Sequence, residues 1–381
     1  GGIAESEYVS LPARFNPSRF DPDAWIDLAR TAGQQYMVFT TKHHDGFCMF
    51  DSSYTDYKIT KTPYGKDIVG QLAKACQARG MRLGFYYSPP DMHHPDFRDT
   101  SKPVSATWHG NPERPEWPGY LEYMQLQLTE LLTRYGPVAL IWFDGLDHQE
   151  KYDGRRFVNL IHRLQPGTLV NDRIGVPGDF VTPEQFIPGA IPIKQAHFSA
   201  VDRNVNKELK PGVPNPQDFQ LWETCMTIND TWAYNRNDHH YKSAQELIRA
   251  LVEVASRGGN FLLNVGPQPD GVIQPEFRER LQSIGEWLAV NGDSIYGTTY
   301  GPVQGVDGIR TTAKRDTVFV HVFDWKAGGF QLAGLNRRVA SAHLLATGET
   351  LKIQQQGSGV ELTLPAQAPD ANASVIALRT M

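Results

Sequence analysis

The sequence predicts an α/β protein: a (β/α)8-type barrel followed by a small C-terminal β-sandwich. Three observations carry this. Over the first 290 residues, apolar strands rich in branched and aromatic side chains alternate with helical patterns. Polar residues fall at the C-terminal end of nearly every one of those strands. After Tyr300 the helical patterns stop and short strands follow one another. A chain of 381 residues has room for one barrel of about 250 residues and a smaller domain. We place the expected domains at residues 1–298 and 299–381.

Asp23 to Ala32 reads as a helix stopped by Gly33, and Tyr36 to Thr41 as the buried strand after it. Asp67 to Arg79 is amphipathic, with Ile68, Leu72 and Ala75 on one face and Gly80 as its stop. Arg82 to Tyr87 is the next strand. A long helix from Tyr120 to Tyr135 ends at Gly136-Pro137 and leads into the strand Val138 to Phe143. A helix to Leu164, the strand Thr168 to Asn171 and a Pro-rich irregular stretch from Ile187 to Pro216 follow. Phe219 to Trp222 resumes the sheet. Helix 243–257, strand Asn260 to Asn264 and helix 275–290 complete the pattern. Beyond Tyr300, strands are expected at Arg310–Thr312, Thr317–Phe323, Ala342–Leu345, Val360–Leu364 and Ser374–Leu378.

A doubly wound sheet would show the same alternation. The strand ends decide between them. Lys42-His43-His44-Asp45, Ser88, Asp144-Gly145, Asp172-Arg173, Glu223 and Asn264 each sit where an expected strand finishes. A barrel turns its whole C-terminal rim toward one pocket, whereas an open sheet gathers its polar groups at one switch point.

Composition narrows the function. The net charge is −5 with both signs dispersed, so no basic patch marks a nucleic-acid or anionic-membrane partner. No apolar run reaches the length of a membrane span. Cys48, Cys76 and Cys225 make neither a disulfide framework nor a zinc motif. Gly1-Gly2 reads as a processed or engineered start. A leader removed upstream of it would place the protein in a secreted, periplasmic or lysosome-like compartment. Oligomeric state is left open.

Asp144 is the sharpest chemical signal. It follows the strand Val138 to Phe143 and precedes Gly145, where a barrel strand opens into its pocket. A carboxylate there, beside Trp142, suits the nucleophile of a glycosidase; the alternative is a cap on the following loop. His43 and His44 end another strand. Adjacent strand residues point to opposite faces, so the pair would chelate one metal only if the strand had already ended. Hydrogen bonding to sugar hydroxyls asks less of them. Glu184 and Glu223 are both candidates for a proton donor, and Arg173 could bind substrate or pair with a carboxylate.

Several blocks in order resemble the α-L-fucosidases of glycoside hydrolase family 29. They are Lys42-His43-His44-Asp45-Gly46-Phe47-Cys48, Tyr54-Thr55-Asp56-Tyr57, Phe85-Tyr86-Tyr87-Ser88 and Trp142-Phe143-Asp144-Gly145. Val170-Asn171-Asp172-Arg173, Trp222-Glu223-Thr224-Cys225, Trp232-Ala233-Tyr234-Asn235 and Gly258 to Pro267 follow. The resemblance covers roughly residues 8 to 300. It implies a retaining exo-glycosidase acting on terminal α-L-fucose of glycans or fucosides, with no metal or organic cofactor. It implies Asp144 as nucleophile and Glu184, from the Thr-x-Glu pattern, as acid/base, with Glu223 as runner-up. His43, His44, Tyr87, Trp142 and Arg173 match positions that line the fucose pocket, and Trp232 and Glu223 join the expected substrate residues. Members of the family usually begin the barrel with a strand ending in His-Trp-Gly, a tripeptide not found in this sequence. We therefore expect a barrel lacking its first strand, or one with another element in its place. A glycan-binding protein derived from a fucosidase, and a metal-dependent hydrolase using His43, His44 and Asp144, are the competing readings.

Overall fold

The computed structural model describes residues 3–107, 109–145, 149–188 and 219–381. From residue 189 on, the Pro-rich stretch expected to be irregular lies outside the described residues. The chain divides into two compact units. One comprises Gly1–Arg30, Gln34–Val181 and Pro267–Gln274, the other Thr31–Gly33, Thr182–Gly266 and Pro275–Met381.

The first unit is built on a four-stranded parallel sheet with its strands in sequence order. They are β1 (Tyr36–Lys42), β2 (Arg82–Tyr87), β3 (Leu140–Phe143) and β4 (Leu169–Val170). Helices Ile68–Arg79, Trp117–Arg134 and Gly154–Leu164 connect them. The first of these starts where the Asp67 carboxylate accepts the N–H of Gly70 and stops at Gly80, whose left-handed φ of 67° favours glycine. In register, Phe85 lies opposite Ile141 and Tyr87 opposite Phe143, and all four are fully buried in the core with Met124, Leu128, Phe157 and Ile161. The pleat turns the residue between them, Tyr86, to the other face, level with Trp142. β1 is an edge strand of this sheet. Ahead of it, the described residues form helical turns at Glu5–Tyr8 and Leu11–Arg14 and the helix Pro22–Thr31, with no strand among them.

The second unit holds a two-stranded parallel sheet, β5 (Glu223–Thr227) and β6 (Asn260–Asn264). Here one expectation is corrected. The apolar run Phe219 to Trp222 precedes the strand rather than forming it: Leu221 is exposed, and Phe219 packs against Tyr300 with ring centroids 5.4 Å apart. The polar-looking Glu-Thr-Cys-Met-Thr is the strand and is buried throughout. It tolerates burial because Thr224 donates to the Phe186 carbonyl (2.6 Å) and the backbone N–H of Thr227 donates to the Gln185 side chain (3.2 Å). Glu223 consequently opens β5, opposite Asn260, instead of closing a strand.

Helix Ala244–Ser256 begins with a reciprocal capping box between Ser243 and Glu246, and Pro275–Asn291 is the second long helix of this unit. Two antiparallel sheets follow. The larger has the order β11-β14-β9-β8-β7, from Val339–Leu344, Ser374–Thr380, Thr317–Val322, Ile309–Lys314 and Thr299–Tyr300. The smaller has the order β10-β13-β12, from Gly328–Leu332, Gly359–Leu364 and Ile353–Gln356. Val318, Val320, Ile376 and Leu378 of one sheet share a core with Leu332, Val360 and Leu362 of the other. β10 and β12 were not expected, because Gly-Gly and Gln-Gln-Gln carry no apolar alternation. Arg249 of the helix donates to the carbonyls of Asn372 (2.9 Å) and Phe323 (2.7 Å), and the Trp287 indole donates to that of Ala373 (3.0 Å).

At the end of β1 the side chain of Lys42 is fully buried, an arrangement that needs a compensating charge. Asp91 supplies it, 3.1 Å from Nζ, and the rings of Tyr87 and Tyr123 lie 4.5 Å and 5.5 Å from the ammonium. The other Asp91 oxygen accepts the N–H groups of His93 and His94, so the pair ties loop 88–94 to β1. Lys42→Met should strand the Asp91 charge and destabilise the protein by about 3–5 kcal/mol. Thermal or denaturant unfolding of the variant measures this, and an unchanged midpoint would show that the pair does not hold the loop.

Candidate active site

Asp144 stands directly after β3, where Gly145 (φ 93°) turns the chain away. A Cβ on Gly145 would come within 2.4 Å of Pro90, so loop 88–94 packs against this turn only because it is glycine. Four consecutive strands then each deliver one side chain to the same face. His43, just past β1, stacks on Tyr86 of β2 (centroids 5.4 Å apart, planes 3° apart). Tyr86 stacks on Trp142 of β3 (5.6 Å, 16°), and the Arg173 guanidinium, past β4, lies 4.6 Å from the Trp142 ring. The polar ends of this row converge on Asp144. The Tyr86 hydroxyl donates to Oδ2 at 2.6 Å, and Arg173 Nη1 donates to Oδ1 at 2.8 Å.

His44 closes the site from the β1 side. Its Nε2 lies 3.7 Å from Asp144 Oδ2 and its Nδ1 2.6 Å from Ser88 Oγ. The strand has ended at Lys42, so the two histidines are free of strand alternation and their rings sit 4.2 Å apart. Burial, then the neighbouring His43, pushes His44 down to about 4, although Asp144 acts in the opposite sense. The ring is therefore neutral near pH 7, and its contact with Asp144 is not an ion pair there. Burial acts to raise the Asp144 pKa, but Arg173, His44 and the Tyr86 hydrogen bond outweigh it and hold the carboxyl below its ordinary value. With His44 neutral, Arg173 is the positive charge that persists. The ligand atoms of His43, His44 and Asp144 lie within 4.8 Å of one another, a donor set able to hold a metal ion.

The structure thus brings together Asp144, His43, His44, Trp142 and Arg173. Tyr87 is a correction: it is fully buried on the core face and its hydroxyl donates to Gln127 Oε1 (2.8 Å), so the pocket tyrosine is Tyr86. The signal was present, since Tyr86 shares strand parity with Trp142 and Asp144 once β2 and β3 are aligned. Glu184 and Glu223 belong to the second unit. Glu184 forms a parallel bridge with Cys225 in the middle of β5, and Glu223 is buried at the start of that strand. Trp232 is 40% exposed, and its carbonyl accepts from Asn264 Nδ2 (2.7 Å) at the end of β6.

A sequence model of the α-L-fucosidases matches residues 2–293. The chain belongs to the α-L-fucosidase family. An α-L-fucosidase of Branchiostoma floridae is 30% identical over 370 residues, covering 94% of this chain and 77% of the relative. Among solved structures, α-L-fucosidase isoenzyme 1 of Paenibacillus thiaminolyticus superposes with a TM-score of 0.86 at 37% identity, over 100% of this chain and 91% of that one. A family 29 α-L-fucosidase of Bacteroides thetaiotaomicron, trapped as a covalent intermediate, superposes with a TM-score of 0.84 at 27% identity, over 100% and 86% of the two chains.

Replacing Arg173 with Met removes the charge that holds Asp144 ionised while leaving burial in place. The folded pKa of Asp144 then rises, and the acid limb of kcat/KM should move to higher pH. A pH–rate profile that keeps its acid limb would show that Arg173 does not set the ionisation of this carboxylate.

Proposed function

We propose that this chain hydrolyses terminal α-L-fucose from glycans or fucosides with retention of anomeric configuration, Asp144 being the nucleophile. The observation that carries the reading is the Asp144 carboxylate, kept ionised at a strand end and oriented by Tyr86 and Arg173. Family membership supports it, as does the trapped covalent intermediate of the Bacteroides relative. In the first step an Asp144 oxygen bonds to the anomeric carbon while the bond to the leaving oxygen breaks and an acid gives that oxygen its proton. In the second step water attacks the same carbon, the conjugate base takes its proton, and the bond to Asp144 breaks. Two inversions give net retention. His43, His44 and Arg173 bind the sugar's hydroxyls in this scheme. Trp142 and Tyr86 supply an apolar wall, and Trp232 is kept as a substrate residue on the strength of the family resemblance.

We assign the acid/base role to Glu184. Active sites of (β/α)8 barrels lie at the C-terminal ends of the strands, and Glu223 opens β5 at its other end. We take residues 1–298 as the catalytic barrel domain and 299–381 as the sandwich. The change from parallel to antiparallel pairing at β7 supports that boundary.

Asp144→Ala should lower kcat on an aryl α-L-fucoside by about three or more orders of magnitude. Added azide, entering where the carboxylate stood, should restore turnover and give the inverted β-fucosyl azide. Near-normal activity in the variant, or azide product of retained configuration, would remove Asp144 from the nucleophilic role. Losing the proton donor should harm substrates with poor leaving groups far more than activated aryl fucosides. We expect that split for Glu184→Ala and not for Glu223→Ala; the reverse pattern would exchange the two.

A further inference from the structure

Ser88 is fully buried just past β2 and has one proton to give. Two groups contact its oxygen: the Pro90 carbonyl at 2.7 Å and His44 Nδ1 at 2.6 Å. A carbonyl can only accept. If Ser88 gave its proton to the imidazole, two oxygen lone pairs would face each other at 2.7 Å in a buried site, with nothing between them. The Ser88 hydroxyl must donate to Pro90, and it accepts from His44. The proton of the neutral imidazole is therefore on Nδ1, and Nε2, beside Asp144, carries a lone pair.

The assembly is rigid enough to enforce this. Ser88 N–H donates to the Lys42 carbonyl (3.0 Å), and Met92 N–H donates to the His44 carbonyl (2.8 Å). Asp91 holds the loop between them against Lys42.

We infer that Ser88 is a positioning residue that locks His44 in its Nδ1–H tautomer, so that Nε2 accepts a hydrogen bond from a hydroxyl of the bound sugar instead of donating one to the nucleophile. The lock acts on catalysis in two ways. A lone pair beside Asp144 leaves that carboxylate with Tyr86 and Arg173 as its donors, and it is not further blunted by a third. It also makes His44 selective for a substrate group that donates. The opposite tautomer would place an N–H 3.7 Å from Asp144 Oδ2, within a small ring shift of a hydrogen bond that competes with attack.

The role toward the sugar rests on the fucosidase reading, but the tautomer does not. Nitrogen-15 NMR of the resting enzyme labelled at histidine reads it directly, with His44→Gln identifying the signals. The expected pattern for His44 is a protonated Nδ1 and a bare Nε2. A protonated Nε2 in the wild-type enzyme overturns the proposal whatever the enzyme acts on. In Ser88→Ala the Nε2–H form should gain population and kcat/KM should fall about ten- to hundredfold, the size expected when a buried hydrogen-bonding group loses its partner. Ser88→Thr, which keeps the hydroxyl, should recover both the NMR pattern and most of the activity. A Ser88→Ala enzyme whose tautomer changes while kcat/KM stays within about twofold of wild type would also overturn it. Should Ser88→Ala fail to fold, the wild-type spectrum and Ser88→Thr still decide.

Discussion

The register between β2 and β3 is the constraint from which the site follows. With Tyr86 level with Trp142 and Tyr87 level with Phe143, the pleat sends alternate residues to opposite faces, and a slip of one residue would exchange them all. One face then carries Tyr87 and Phe143 into a core of aromatic and aliphatic side chains, and burial there fixes the register thermodynamically. The other face receives what is left, a row of rings ending in a guanidinium. The stack from His43 to Arg173 is in this sense a by-product of core packing. The sheet does not have to be strained to assemble it, and the Asp144 carboxylate inherits its donors from residues whose backbones are held for another reason.

Below this row lies a charge that water does not reach. Burying Lys42 and Asp91 together costs desolvation that their attraction must offset, and apolar residues of similar size would serve stability as well or better. What the pair supplies instead is direction. An ammonium with three donors, and a carboxylate that also accepts two backbone N–H groups, define one placement for loop 88–94 relative to β1. Non-directional apolar contacts would fix that placement less sharply, and the Ser88–His44 contact depends on it.

Much of this was legible in the sequence. Strand–helix alternation placed β1 to β3 and the helices between them, because their apolar periodicity is strong. Asp144, His43, His44 and Arg173 stood out as polar residues closing apolar runs. What failed did so for identifiable reasons. Tyr86 and Tyr87 are chemically alike, and only the register against β3 tells which one faces Asp144. β5 is a buried strand written in polar letters, and its threonines are acceptable there because Gln185 and the Phe186 carbonyl wait for them. Periodicity cannot see a partner supplied by a distant segment. Asp91 was hidden for the same reason, and Ser88 showed only as a polar strand end: the importance of both lies in what they touch.

The bonds from Arg249 and Trp287 to the carbonyls of Phe323, Asn372 and Ala373 bear on how this architecture can vary through evolution. Those carbonyls lie just after β9 and just before β14, two inner strands of the larger antiparallel sheet, and their donors belong to helices that precede that sheet in sequence. A gene that lost the sheets would leave an arginine and an indole facing no acceptors, on helix surfaces shaped to be covered. A gene that acquired different sheets would need carbonyls in matching places. The C-terminal segment is thus poorly suited to exchange as an independent cassette. Changes in which glycans the protein meets are more easily accommodated by loops, which can lengthen without disturbing these contacts.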